Sequence, residues 1–270
     1  MAAIQEQARL DGAIVTLTAG DAASVAGQWS AEVAAEMAVR FDAAEPREVL
    51  EHFVRVLGRN PVRPLKLASS LGSEDQVLTH MLLRLDPDAH VFALDTGRLH
   101  QQTYDLMSRM MLRYHFHYEV YAPQAETVQE MVAEHGPNLF YASVDNRKRC
   151  CYVRKVEPLQ RALANAGGWV TGLRRSQSAG RADTAVVHWD ATHQLVKVNP
   201  LAHWSEQQVW DYLRSEEVPY NELHDRGFRS IGCEPCTRAI TDGEDQRAGR
   251  WWWENDAAKE CGLHKDVTAP

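Results

Sequence analysis

The segment PLKLASSLGSED, residues 64–75, decides how this chain is read. Leu65, Leu67 and Ala68 make a short apolar strand that runs into a turn of small residues. Ser73 then opens a helix whose apolar stripe is Val77, Leu78, Met81, Leu82 and Leu85, with Gln76 at the capping-box position. A small-residue turn between strand and helix lets backbone N–H groups approach an anion, and the helix N-terminus adds its positive end. The Gly-Lys-Ser/Thr ending of a Walker motif is absent, and one glycine is too few for a dinucleotide fingerprint. By spacing alone, an ordinary strand-to-helix turn with a serine cap explains the segment at least as well.

Working outward, strands alternate with helices. HVFAL (90–94) is a second strand running into Asp95-Thr96-Gly97, followed by a helix from about Leu99 to Arg113 and a β-rich HFHYEVYAP. Another helix ends at Gly136-Pro137, and a basic helix covers about Arg147 to Ala166. WVTGL is a further strand, and TAVVHW pairs with QLVKVNP as a hairpin across 190–193. Ser205 and Gln208 cap the next helix. Upstream, the first 60 residues read as helical, with Ser30 capping AEVAAEMAVRF. Strands alternating with helices imply an α/β fold, a mostly parallel sheet with helices on both faces in three layers. The expected division is a helical extension over 1–60, a nucleotide-binding core over 61–225 and a C-terminal segment over 226–270, mobile after about Gly243.

The chain has 270 residues, 44% hydrophobic and 24% charged, which is ordinary globular usage and excludes disordered and collagen-like classes. A net charge of -8 argues against general nucleic-acid or membrane-surface binding. No uncharged apolar run reaches the roughly 18 residues of a membrane helix, and no signal segment is visible, so the expected compartment is cytoplasmic. Five cysteines are too few for a disulfide scaffold, and their number is odd. They fall as Cys150-Cys151, Cys233-Glu234-Pro235-Cys236 and Cys261, two tight pairs plus one. A thioredoxin-type role does not fit, because no strand precedes the Cys-x-x-Cys pair. By spacing alone, zinc and an iron–sulfur cluster stand level.

Two kinds of resemblance bear on these alternatives. The turn Ser70-Leu71-Gly72-Ser73-Glu74-Asp75 resembles the modified phosphate loop of the adenine-nucleotide α-hydrolase superfamily, and Leu94-Asp95-Thr96-Gly97 fits the segment that lies beside adenine and ribose there. Cys150-Cys151 with Tyr152-Val153-Arg154-Lys155, then Ile231-Gly232-Cys233-Glu234-Pro235-Cys236-Thr237, then Lys259-Glu260-Cys261-Gly262-Leu263-His264 resemble the assimilatory, thioredoxin-dependent adenylyl-sulfate (APS) reductases of the PAPS/APS reductase family. The likeness runs over about 65–265.

The resemblance implies reduction of adenosine 5'-phosphosulfate to sulfite and AMP in sulfate assimilation. Cys150, Cys151, Cys233 and Cys236 would hold a [4Fe-4S] cluster, and Cys261 would attack APS to form an S-sulfocysteine that thioredoxin resolves. Substrate contacts are implied for Ser69, Ser70, Leu71, Gly72, Ser73, Asp75, Leu94, Thr96, Gly97, Lys155, Gly172, Arg181, Arg247 and Arg250. Related PAPS reductases usually lack the four paired cysteines, so their presence points to APS. Lys259, His264 and Lys265 around Cys261 would favour its thiolate, against Glu260. The remaining basic residues Arg147, Lys148, Arg149 and Arg161 are assigned to a solvated face, and Trp251-Trp252-Trp253 to packing of the tail onto the body. The twelve histidines show no metal-ligand spacing, and most are expected on the surface or in loops. A homo-oligomer is expected, with no nucleic-acid or membrane partner. The competing readings are a PAPS reductase, an ATP-using thiolase or amide synthetase of the superfamily, and a zinc-stabilised nucleotide-binding module without catalysis.

Overall fold

The computed structural model describes residues 7–10, 13–16, 29–58, 60–254 and 263. Strands β1 (Gln7–Leu10) and β2 (Ala13–Thr16) form a small antiparallel ladder of their own. The main sheet contains β3 (Leu65–Ser69), β4 (His90–Leu94), β5 (Glu119–Tyr121), β6 (Gly168–Val170), β7 (Val187–Asp190) and β8 (Leu195–Val198). Their spatial order is β5-β4-β3-β6-β8-β7, parallel throughout except for the β7–β8 hairpin at the edge.

Side-chain alternation along each strand divides the interior in two. Leu65, Leu67, Val91, Val170, Val196 and Val198 face the larger core, beneath helices α1 (Ala31–Phe41), α2 (Pro46–Phe53), α3 (Ser73–Leu85), α4 (Gln101–Tyr114) and α8 (Glu206–Ser215). Phe92, Trp169 and Leu195 face the other way, against Leu159, Ala162 and Leu163 of α7 (Glu157–Leu163). Helices α5 (Ala125–His135) and α6 (Val144–Cys151) precede α7 and carry a third cluster around Met131, Phe140 and Trp251. This is the three-layer α/β arrangement the strand–helix alternation implies.

The winding reverses between β3 and β6. From β3 the chain moves to β4 and β5 on one side, then crosses back to β6 and β8 on the other. In open α/β sheets ligands bind beyond the carboxyl ends of the strands at such a switch point.

Three local expectations change. Residues 7–10 and 13–16 are strands, not helix; the sequence carries Asp11-Gly12 between them, the dipeptide that two-residue hairpin loops favour. The Ser73–Gln76 capping box does not form, because Ser73 lies inside the helix rather than at its cap. Gly72 takes the cap position, Ser73 Oγ donates to Glu74 Oε2 at 2.9 Å, and Gln76 is fully buried. The box at Ser205–Gln208, on half-exposed α8, does form. The basic helix divides into α6, a π-helical turn (Tyr152–Val156) and α7. Pro158 has no N–H to continue the α pattern, and the wider turn absorbs the break.

Candidate active site

A cleft of about 200 Å³ opens at the switch point. It collects Ser69, Ser70, Leu71, Gly72, Ser73 and Asp75 from the β3 turn, Leu94 and Thr96 after β4, and Gly172 after β6. Lys155 reaches it from the π-helical turn, and Arg181, Arg247 and Arg250 from the loops. Of the substrate contacts expected from sequence, Gly97 alone is not in the lining. One wall is apolar, built by Phe92, Leu94, Leu159, Trp169 and Leu263. A flat apolar ring system with anionic groups at one end matches this division.

The β3 turn is held by its own side chains. Leu71 sits at φ 61°, a left-handed conformation that costs a branched residue energy and is retained because its side chain is buried. Asp75 accepts from Ser70 N at 2.7 Å and Ser70 Oγ at 2.6 Å, and burial lifts its carboxyl to about 6. A β-carbon on Gly172 would lie 2.4 Å from Asp75 Oδ1, so glycine is required for the β6 turn to approach the β3 turn.

Glu74, Arg174 and Gln177 were not among the expected substrate contacts, although Glu74 and Gln177 line the cleft. Glu74 pairs with Arg174 at 2.8 Å, and the Arg174 guanidinium helps hold its carboxyl below the usual range against the opposing effect of burial. Gln177 Nε2 donates to Glu74 Oε1 at 2.9 Å, while Gln177 Oε1 accepts from Arg181 Nη1 at 2.6 Å. Glu74 thus fixes Arg181 through one amide. Arg229 and His224 also line the cleft and were not singled out. Gly232 was a usable signal: a β-carbon there would lie 2.3 Å from Arg250 Nη2, so the glycine makes room for that guanidinium.

Beside the cleft, Cys150, Cys151, Cys233 and Cys236 all line one small cavity of about 20 Å³. Arg98, Arg147, Arg154, Lys155 and Arg250 surround it, and Lys155 and Arg250 belong to both cavities. Cys151 and Cys236 are buried, and burial pushes the Cys236 thiol up to about 12. Thr96 Oγ1 lies 3.3 Å from Cys233 Sγ. Among the described residues no three ligand side chains close on a single ion. Four thiols on one cavity, ringed by cations, fit a group that spreads its ligands over several metal atoms, and binding such a group removes the protons that burial retains.

The solvated-face assignment fails for Arg147. It is 1% exposed, donates to Glu254 from Nε at 2.9 Å and Nη2 at 2.8 Å, and stacks 4.7 Å from the centre of Trp251. Lys148, one position on, is exposed, and Arg149 and Arg161 sit at the surface in pairs with Glu134 and Glu157. Trp251 is buried and Trp253 packs 4.5 Å from Tyr141, while Trp252 remains 49% exposed. His80 is buried within α3 rather than at the surface, while His100, also buried, lies in the loop before α4. The catalytic assignment to Cys261 lies outside the described residues, as do Lys259, Glu260, His264 and Lys265.

With this geometry in view, comparison with known proteins is decisive for the family. The family model of the phosphoadenosine phosphosulfate reductase domain matches residues 64–239. This chain belongs to that family. Among family members, it is 53% identical over 206 residues to an adenosine 5'-phosphosulfate reductase of Burkholderia cepacia, covering 76% of this chain and 82% of the relative. A relative of the same name from Allochromatium vinosum is 52% identical over 203 residues, covering 75% and 79%. The crystal structure of phosphoadenylyl-sulfate (PAPS) reductase from Candida auris, a phosphate complex, superposes with a TM-score of 0.66 at 28% identity, covering 79% of this chain and 98% of that one. The family fold and the switch-point cleft agree with the sequence-based expectation of an adenine-nucleotide α-hydrolase-like sheet.

Proposed function

We propose that this chain reduces adenosine 5'-phosphosulfate to sulfite and AMP, with the Cys261 thiolate as nucleophile and thioredoxin as electron donor. The observation that carries this reading is a single cleft joining the small-residue turn, the cations Lys155, Arg181, Arg247 and Arg250, and Leu263 from the tail. The relatives named adenosine 5'-phosphosulfate reductase favour APS over PAPS.

The chain's own groups account for the chemistry. Turn amides of 69–73 and the arginines bind the nucleotide's phosphate and sulfate, and the apolar wall takes the adenine. The Cys261 thiolate attacks the sulfate sulfur; the S–O bond to the phosphate breaks and AMP leaves with the electron pair. Because AMP is a good leaving group, the protein's work is positioning and charge neutralisation. A thioredoxin thiolate then attacks Cys261 Sγ, the S–S bond breaks, and sulfite leaves with the electron pair. The second thioredoxin thiol closes the donor's disulfide and restores Cys261. Cys150, Cys151, Cys233 and Cys236 would hold a [4Fe-4S] cluster, which when bound supplies a compact charge that orients the neighbouring cations. Lys155, shared by the two cavities, would offset that charge against the sulfate's. Thiols that must stay reduced suit the cytosol, and no helix among the described residues is long and apolar enough to cross a membrane.

The test is a thioredoxin-coupled sulfite assay with APS and PAPS, repeated with Cys261→Ser. Sulfite from APS is expected to fall by on the order of 10³ or more. Undiminished sulfite in the serine variant would sink the mechanism, and a preference for PAPS would reassign the substrate.

A further inference from the structure

Residues 237–250 leave the second cysteine pair and come back to it. Trp251 N donates to Cys236 O at 3.1 Å, Thr237 and Arg250 form an antiparallel bridge, and Arg238 N donates to Gly249 O at 3.0 Å. The base is tight: a β-carbon on Gly249 would lie 2.3 Å from Arg238 O. Between these closed ends the loop carries Gln246 and Arg247, which line the cleft.

The tip is organised by one carboxylate that does not itself reach the cleft. Glu244 accepts from Arg238 Nη2 at 2.6 Å, Arg238 Nη1 at 3.1 Å, Thr241 N at 2.7 Å and Thr241 Oγ1 at 3.1 Å. Glu244 N in turn donates to Thr241 O at 3.2 Å. The next residue continues the winding, since Arg247 N donates to Asp245 Oδ1 at 2.8 Å and Ala248 N to Asp245 O at 2.9 Å. A lone surface ion pair contributes little, but a two-pronged arginine contact together with a backbone N–H and a hydroxyl on one carboxylate selects a single loop conformation. Arg238 and Thr241 hold the Glu244 carboxyl down at about 2, so the stitch remains ionised at any working pH.

We propose that Glu244 is a positioning residue for the nucleotide anion: it folds the 237–250 loop so that Arg247 faces the cleft. This rests on the reading above, in which Arg247 meets the phosphate or sulfate. The role is distinct from binding, since Glu244, Arg238 and Thr241 are absent from the cleft lining.

AMP affinity, measured by calorimetry on the full chain, tests it without relying on turnover. Glu244→Ala is expected to weaken AMP about tenfold, and Glu244→Gln, which keeps one acceptor oxygen, only about two- to threefold. In an Arg247→Ala background, Glu244→Ala is expected to add less than about twofold, because the two residues act in one series. A merely structural role predicts the same tenfold loss in either background. Unchanged affinity in Glu244→Ala, or full additivity with Arg247→Ala, overturns the proposal. Should Glu244→Ala fail to fold, Glu244→Gln in the same cycle decides. A wild-type chain that binds no AMP overturns the nucleotide reading itself, and this proposal with it.

Discussion

The β3 turn and the cysteine cavity lie side by side and share Lys155 and Arg250, yet they are completed differently. In the turn, the protein satisfies its own charges. Asp75 is bonded by Ser70, Glu74 by Arg174 and Gln177, and the lining is set before any ligand arrives. Around the cysteines, four thiols face cations, and burial favours the protonated thiol at Cys150 and Cys236. A turn whose charges are met by its own side chains therefore adjoins a cavity lined by four thiols and by cations.

Perturbations that strike one side should leave the other intact. Arg147→Ala should have the largest effect. It leaves the Glu254 carboxylate buried without its partner, at a cost of about 3–5 kcal/mol, or on the order of 10 °C in thermal midpoint. Iron content after anaerobic purification should drop, while AMP affinity stays within about threefold. Parallel losses on both sides would mean the two regions are one unit.

Asp75→Asn should strike the cradle alone. Burial raises Asp75 from 3.8 to about 6, so the folded protein holds this proton more tightly than the unfolded chain between those values. Its contribution to stability is present at low pH and is lost as pH rises through about 6, a total of about 3 kcal/mol. Chemical-denaturation curves of the asparagine variant should lack that downward slope, with iron content unchanged.

Lys155→Ala should weaken AMP about tenfold and slow sulfite formation, since this residue serves both cavities. An unchanged affinity and rate would remove its bridging role. Arg229→Ala should have the smallest effect. This side chain is 49% exposed at the cleft and lies 3.8 Å from the fully exposed Asp242. A loss of about two- to fourfold in AMP affinity is expected, fading at high salt.

Much of the fold was legible because turns are punctuated. Pro61 and Pro64, Asp86-Pro87-Asp88 and Gly136-Pro137 mark element ends, and alternating apolar residues gave the β7–β8 hairpin its pairing. The residues expected at the cleft fall in its lining, Gly97 excepted, since the small-residue turn and the strand ends lie where the topology places ligands. What stayed hidden depends on distant partners. Arg174 and Glu74 are 100 residues apart, and Arg147 and Glu254 are 107 apart. No local pattern separates Arg147, which is buried, from Lys148, which is exposed, because successive helical residues turn about 100° and only the packing says which face is inside.

The sequence by itself determined the alternation of strands and helices, the chemical classes present, and the grouping of cysteines into two pairs and one. Those are properties of composition and short-range spacing, which polar turns and apolar periods encode directly. The tertiary structure alone decided that Arg229 joins the cleft lining, that Arg147 is buried in a salt bridge, and that the four paired cysteines line one cavity with Lys155 and Arg250. Burial and charge compensation arise where segments far apart in the chain meet, and their energies exist only once the sheet has brought those segments together.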